Sequence, residues 1–222
     1  MSETNLGDIK ASLVGDHNPG EITAILGTSH SGKTETLIKL VAIEAIERET
    51  SDYDEIIFVV REEKPELVAR KSLFYFLKHL GEIPEQMSFD DTVQFVLDDD
   101  IINKHWDNIK IVYAPLGADL QDDIHVGKKN TLFLIDGLGN MTSEFIESFK
   151  ADGNSLVITA SAPVSGIGSL SDAVGKNTLS LPNLADRTII TERKSTEQGV
   201  NKHQLTHGDD VKELSTVKLE VF

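Results

Sequence analysis

The stretch from Glu21 to Glu44, EITAILGTSHSGKTETLIKLVAIE, constrains the chain more than any other. Ile22 to Leu26 is an apolar run of strand type. Gly27, Thr28, Ser29, His30, Ser31, Gly32, Lys33 and Thr34 then fit the phosphate-loop pattern G-x-x-x-x-G-K-[ST] at every fixed position. Leu37, Leu40 and Val41 follow at helical spacing, with Glu44 on the same side. Glycines at 27 and 32 permit unusual backbone angles and a close approach of main chain to ligand. Successive N–H groups then form an anion nest at a helix N-terminus. Lys33 reaches terminal phosphates, and Thr34 offers its hydroxyl to magnesium. His30 is a loop side chain with no catalytic assignment.

Composition sets the outer bounds. The 222 residues suffice for one substantial core, and we read residues 1–222 as a single domain with a lead-in over 1–20. No apolar run is long enough to span a membrane, and the polar start is no signal peptide. The absence of cysteine excludes disulfides, thiol nucleophiles and thiolate zinc sites, and it fits a cytoplasmic location. A net charge of −16 argues against a large basic face for duplex DNA.

Along the chain, Leu6–Val14 reads as a short helix and Glu55–Val60 (EIIFVV) as a buried strand. Pro65 to Leu80 reads as a helix with Leu67, Leu73, Phe74, Leu77 and Leu80 on its apolar side. A helix over Asp90–Ile102 ends in three aspartates, best taken as a solvated terminus rather than a metal site. Strands follow at Ile109–Tyr113, Thr131–Ile135 and Ser155–Ala160, with a short helix at Ser143–Phe149. Pro163–Gly175 is rich in Ser and Gly and reads as a mobile loop. Further strands are expected at Leu184–Thr191, Lys202–His207 and Thr216–Phe222, with a turn at Glu197–Lys202. Strands and helices alternate for about 160 residues, and strands alone follow. That pattern predicts an α/β sheet, parallel at its centre, with an antiparallel C-terminal extension.

A phosphate loop needs a magnesium-linked carboxylate at the end of a buried strand, and Asp136 after TLFLI fits. Hydrolysis also needs a group to orient water. Glu62 and Glu63 end the EIIFVV strand, expected beside the phosphate-loop strand, and Glu62 is the preferred choice. Arg193 and Lys194 are candidates to reach the phosphates of an adjacent subunit.

These residues resemble a family. The loop GTSHSGKT is similar to that of the KaiC and RadA branch of RecA-type ATPases. FVVREEKPELVAR, TLFLIDGLG and LADRTIITERK…STVKLEVF resemble successive parts of the motor core of DnaB-type replicative helicases. The resemblance implies a RecA-like P-loop NTPase that uses ATP and Mg2+ and assembles as a homo-oligomeric ring or filament. It further implies a single-stranded DNA partner and work in replication or recombination, coupled through the Pro163–Gly175 loop. A gapless match puts Arg61 where the family has its glutamate. The family's glutamine after the Ser155–Ala160 strand is replaced by Ser161-Ala162-Pro163. The divergence points to a viral or mobile-element relative, which would work in a host cytoplasm. The alternative from another class is a nucleotide-binding module that regulates a partner ATPase. A small-molecule kinase lacks its arginine-rich lid here, and a transporter cassette lacks its LSGGQ-type signature.

Overall fold

The structure is a computed structural model that describes residues 6–84, 86–91, 104–124, 130–162, 181–193, 199–206 and 211–218. Eight strands form one sheet: β1 (Ile22–Gly27), β2 (Glu55–Val60), β3 (Ile109–Tyr113), β4 (Thr131–Ile135), β5 (Ser155–Ser161), β6 (Arg187–Arg193), β7 (Gly199–Leu205) and β8 (Lys212–Lys218). Their spatial order is β3-β2-β4-β5-β1-β6-β7-β8. All neighbours from β3 to β6 pair in parallel, and β7 and β8 pair antiparallel. The α/β reading with an antiparallel extension therefore holds.

Six helices accompany the sheet: α1 (Leu6–Val14), α2 (Lys33–Ile46), α3 (Pro65–Leu80), α4 (Leu120–Asp123), α5 (Ser143–Ala151) and α6 (Leu181–Leu184). Alternation along the strands builds a core on each face of the sheet. Ile25, Phe58, Leu132 and Leu134 face the cluster that holds α1, α2 and α3. Leu26, Val59, Phe133 and Ile135 face the cluster that holds α5 and the short helices α4 and α6. The strands read as near-continuous apolar runs because both faces are covered. Local signals set the ends of the helices. Pro65 occupies the first turn of α3, Gly81 closes it in the left-handed region, and the Thr142 side chain caps α5 by accepting from Phe145 N at 3.2 Å.

Several expectations need correction. The buried face of α3 carries Val68, Ser72, Tyr75 and Phe76 with Phe74 and Leu77, while Leu67, Leu73 and Leu80 are only partly covered. A helix packed between a sheet and its neighbours buries more than one stripe, which a search for a single stripe misses. The expected strand Leu184–Thr191 begins instead at Arg187, because Leu181–Leu184 forms α6. Strand β7 starts at Gly199, inside the expected turn, because pairing with both β6 and β8 extends it. Strand β8 likewise starts early, at Lys212, where it pairs with Gln204. Strand β2 is not beside β1, since β4 and β5 lie between them. Residues 92–103, the segment Pro163–Gly175, Lys194 and residues 219–222 lie outside the described residues.

Lys202 of β7 is 1% exposed and donates to Leu13 O, near the C-terminal end of α1, at 3.3 Å. Burial pulls its ammonium down to about 7, assisted by Lys39 and opposed by Glu35. Its unfolded value is near 10.5, so between those two values the unfolded chain binds the extra proton. Stability should therefore rise with pH across that window, with the full cost of the buried charge present below it. We expect Lys202→Met to raise the melting temperature at neutral pH, with its advantage shrinking as pH approaches about 10 in thermal melts. An advantage that stays constant with pH would assign the effect to packing.

Candidate functional site

The carboxyl ends of β1, β2, β4, β5 and β6 lie on one edge of the sheet, because these strands are mutually parallel. A cavity of about 880 Å³ opens there, lined by the phosphate loop from Ser29 to Thr34, by Glu62, Glu63 and Asp136, and by Arg193. That is large enough for a nucleotide. Gly27 and Thr28 form the stem of the loop beneath it.

Two glycines shape the loop for different reasons. Gly32 is the N-cap of α2 with φ 85°, a left-handed conformation that favours glycine. Gly27 is needed for space. A Cβ there would sit 2.3 Å from Thr191 Oγ1 and 2.4 Å from Ser31 Oγ, so the angle argument applies to Gly32 and not to Gly27. His30 also has positive φ, 59°, which histidine tolerates better than most residues. The loop is pinned from below: Ser31 Oγ and Thr191 Oγ1 lie 2.7 Å apart, and Thr191 Oγ1 donates to Leu26 O at 3.2 Å.

Lys33 folds over the loop and donates to Gly27 O at 3.0 Å and Thr28 O at 2.7 Å. Burial lowers its pKa, and the nearby carboxylates Asp136 and Glu62 oppose that shift. Asp136 is 4% exposed and accepts from Thr34 Oγ1 at 3.0 Å on each oxygen. Thr159 Oγ1 donates to Asp136 Oδ1 at 2.9 Å and accepts from Gly137 N at 2.8 Å. Burial raises the Asp136 pKa, partly offset by the two threonine hydroxyls. A buried carboxylate touching a cavity-lining threonine hydroxyl is a donor set of oxygens suited to magnesium, so the residues fit that ion.

Both glutamates reach the cavity although β2 is remote from β1. Glu63 is engaged by Lys71 at 3.7 Å. Glu62 is exposed, makes no ion pair among the described residues, and sends its field to Lys33 and Asp136. Arg61 points the other way. Its guanidinium is buried and donates from Nη2 to the carbonyls of Pro115 (3.1 Å), Leu116 (2.7 Å) and Ala118 (3.3 Å). It lies so close under Gly139 that a Cβ there would meet Nη2 at 2.6 Å. Arg61 thus ties the loop after β3 to the loop after β4, and Glu62 takes the open position. Arg193, the last residue of β6, is exposed and lines the cavity.

Sequence reading missed Thr159, Thr191 and Glu35. Thr159 is a polar residue inside the apolar run SLVITA, next to the strand that carries Asp136, and that was its available signal. Thr191 had no local signal, since its role depends on pairing with Gly27. Glu35 lines the cavity and accepts from the Tyr75 hydroxyl of α3.

No protein-family model and no curated protein matches the sequence. Among solved structures, the ATPase domain of a DnaB-type helicase superposes with a TM-score of 0.56, covering 97% of this chain and 91% of that chain. Sequence identity over the match is 15%, so the likeness speaks for the fold. The chain has the RecA-like P-loop ATPase fold. In that fold the phosphate loop, the Asp136 strand and β5 stand side by side, as the sheet order here requires. Among the described residues, no helix is long and apolar enough to cross a membrane.

Two substitutions test this geometry. Gly27→Ala should displace Thr191 or Ser31 and abolish nucleotide binding in a titration, with the folded state retained by circular dichroism. Thr159→Val leaves the Gly137 N–H without its acceptor. It should cost ~1–3 kcal/mol in urea unfolding and raise the Mg2+ concentration needed for nucleotide binding.

Proposed function

We propose that this chain is a Mg-ATP-binding RecA-like ATPase that acts in DNA replication or recombination, as a helicase-core-like or recombinase-like motor. The observation that carries the reading is the meeting of Lys33, Thr34 and Asp136 with the open carboxylate of Glu62 in one cavity. The loop amides would bind the phosphates, and Lys33 would turn from its two carbonyl acceptors to the terminal phosphate. Thr34 and Asp136 would hold magnesium, which supplies neutralisation of phosphate charge. Thr159 keeps the Asp136 carboxylate oriented. Glu62 would orient the attacking water, and its freedom from an ion pair favours it over Glu63. A single-stranded DNA partner and a homo-oligomeric ring or filament belong to the same proposal.

A second reading, a nucleotide-binding module that regulates a partner ATPase, is favoured by one observation. Arg61 occupies the position of the resembling family's glutamate and is committed to backbone carbonyls. Hydrolysis measured with and without single-stranded DNA, beside the mass in solution, separates the two. DNA-stimulated turnover from an oligomer supports the motor, whereas nucleotide binding without turnover supports the module. Lys33→Ala should reduce nucleotide binding or turnover by about a hundredfold or more, and unchanged hydrolysis in that variant removes the assignment.

A further inference from the structure

Arg193 is placed by two sets of backbone restraints. Strand β6 pairs with β1 in parallel, with Thr191 opposite Gly27, and with β7 on its other side, with Arg193 opposite Val200. Arg193 therefore stands two residues beyond the end of β1, or roughly 7 Å further along the strand direction. Side chains two apart share a face. Ile189 faces the core that holds α2, and Thr191 touches Ser31 of the phosphate loop. Arg193 continues that face and comes out beside the loop of its own chain, where it lines the cavity. It makes no hydrogen bond or ion pair among the described residues.

Charge gives this position a purpose. Four carboxylates line the cavity, Glu35, Glu62, Glu63 and Asp136, against two cations, Lys33 and Arg193. A nucleoside triphosphate is itself polyanionic. Among the described cavity-lining residues, Arg193 is the one cation besides Lys33 that can offset this excess, and its planar fork suits phosphate oxygens.

The geometry points to Arg193 as a ligand of the phosphate chain held by its own subunit's loop, rather than a finger offered to a neighbour. The inference rests on the nucleotide-binding reading above. It makes the cavity electrostatically complete within one chain, so affinity does not require assembly.

Calorimetric titration with Mg-ATP tests it on wild type, R193A, R193K, K33A and an equal mixture of K33A and R193A. We expect R193A to bind about tenfold or more weakly than wild type, with unchanged melting temperature, and R193K to recover most of the loss. The mixture should bind no better than R193A alone, because K33A subunits cannot lend their arginine to a neighbour. Recovery of wild-type affinity in the mixture would place Arg193 across an interface and overturn the inference. Wild-type affinity in R193A would also overturn it, while leaving the nucleotide reading intact. Failure of the wild type to bind Mg-ATP removes both.

Discussion

Parallel pairing of β1 with β5 on one side and β6 on the other is the constraint from which the site follows. Parallel strands end on the same edge, so the chain must leave each of them at the same rim of the sheet. Gly27 leaves into the phosphate loop, and Ser161 and Arg193 reach the rim from either side. Strand β4, paired with β5, brings Asp136 to the same edge, and β2, paired with β4, brings Glu62. An antiparallel β5 would have delivered Ser155 to the rim and left Asp136 without the hydroxyl of Thr159.

Within that frame a few polar contacts do the fine positioning. Thr34, Asp136, Thr159 and Gly137 N form one connected set that joins α2, β4 and β5. Ser31, Thr191 and Leu26 O form a second set that seats the loop on β6. Both sets are largely buried, where an unmet donor or acceptor carries a large penalty, so each is stiff once formed. The cost appears at Asp136, whose charge is disfavoured by burial and relieved only partly by its hydroxyl donors. A site poised to take up a cation is expected to hold such an uncompensated charge.

Much of this was legible in the residues. The phosphate loop, the strand ending at Asp136, α1 and the bounds of β2, β3 and α3 follow from local chemistry: apolar runs, turn residues and a complete motif. Other features were not legible. Position 61 looked like the place for a water-activating carboxylate, but Arg61 turns inward to three carbonyls and Glu62 faces the cavity. That choice depends on where the loop after β3 lies, about fifty residues away in the chain. Gly27 looked like a residue chosen for its angles and is in fact chosen for the absence of a side chain against Thr191. The start of β6 was misjudged because LPNL is as apolar as the strand that follows it, and only packing separates the two.

By itself the sequence determined that an anion-binding loop lies between a strand and a helix, and that an α/β sheet surrounds it. Those are local properties, set by glycine placement and side-chain period. Which strands are neighbours was decided by the tertiary structure, because pairing depends on how distant apolar faces bury one another. That decision put β4 and β5 between β1 and β2, brought Thr159 to Asp136 and Thr191 to Ser31, and carried Arg193 past the end of β1 to the cavity of its own chain.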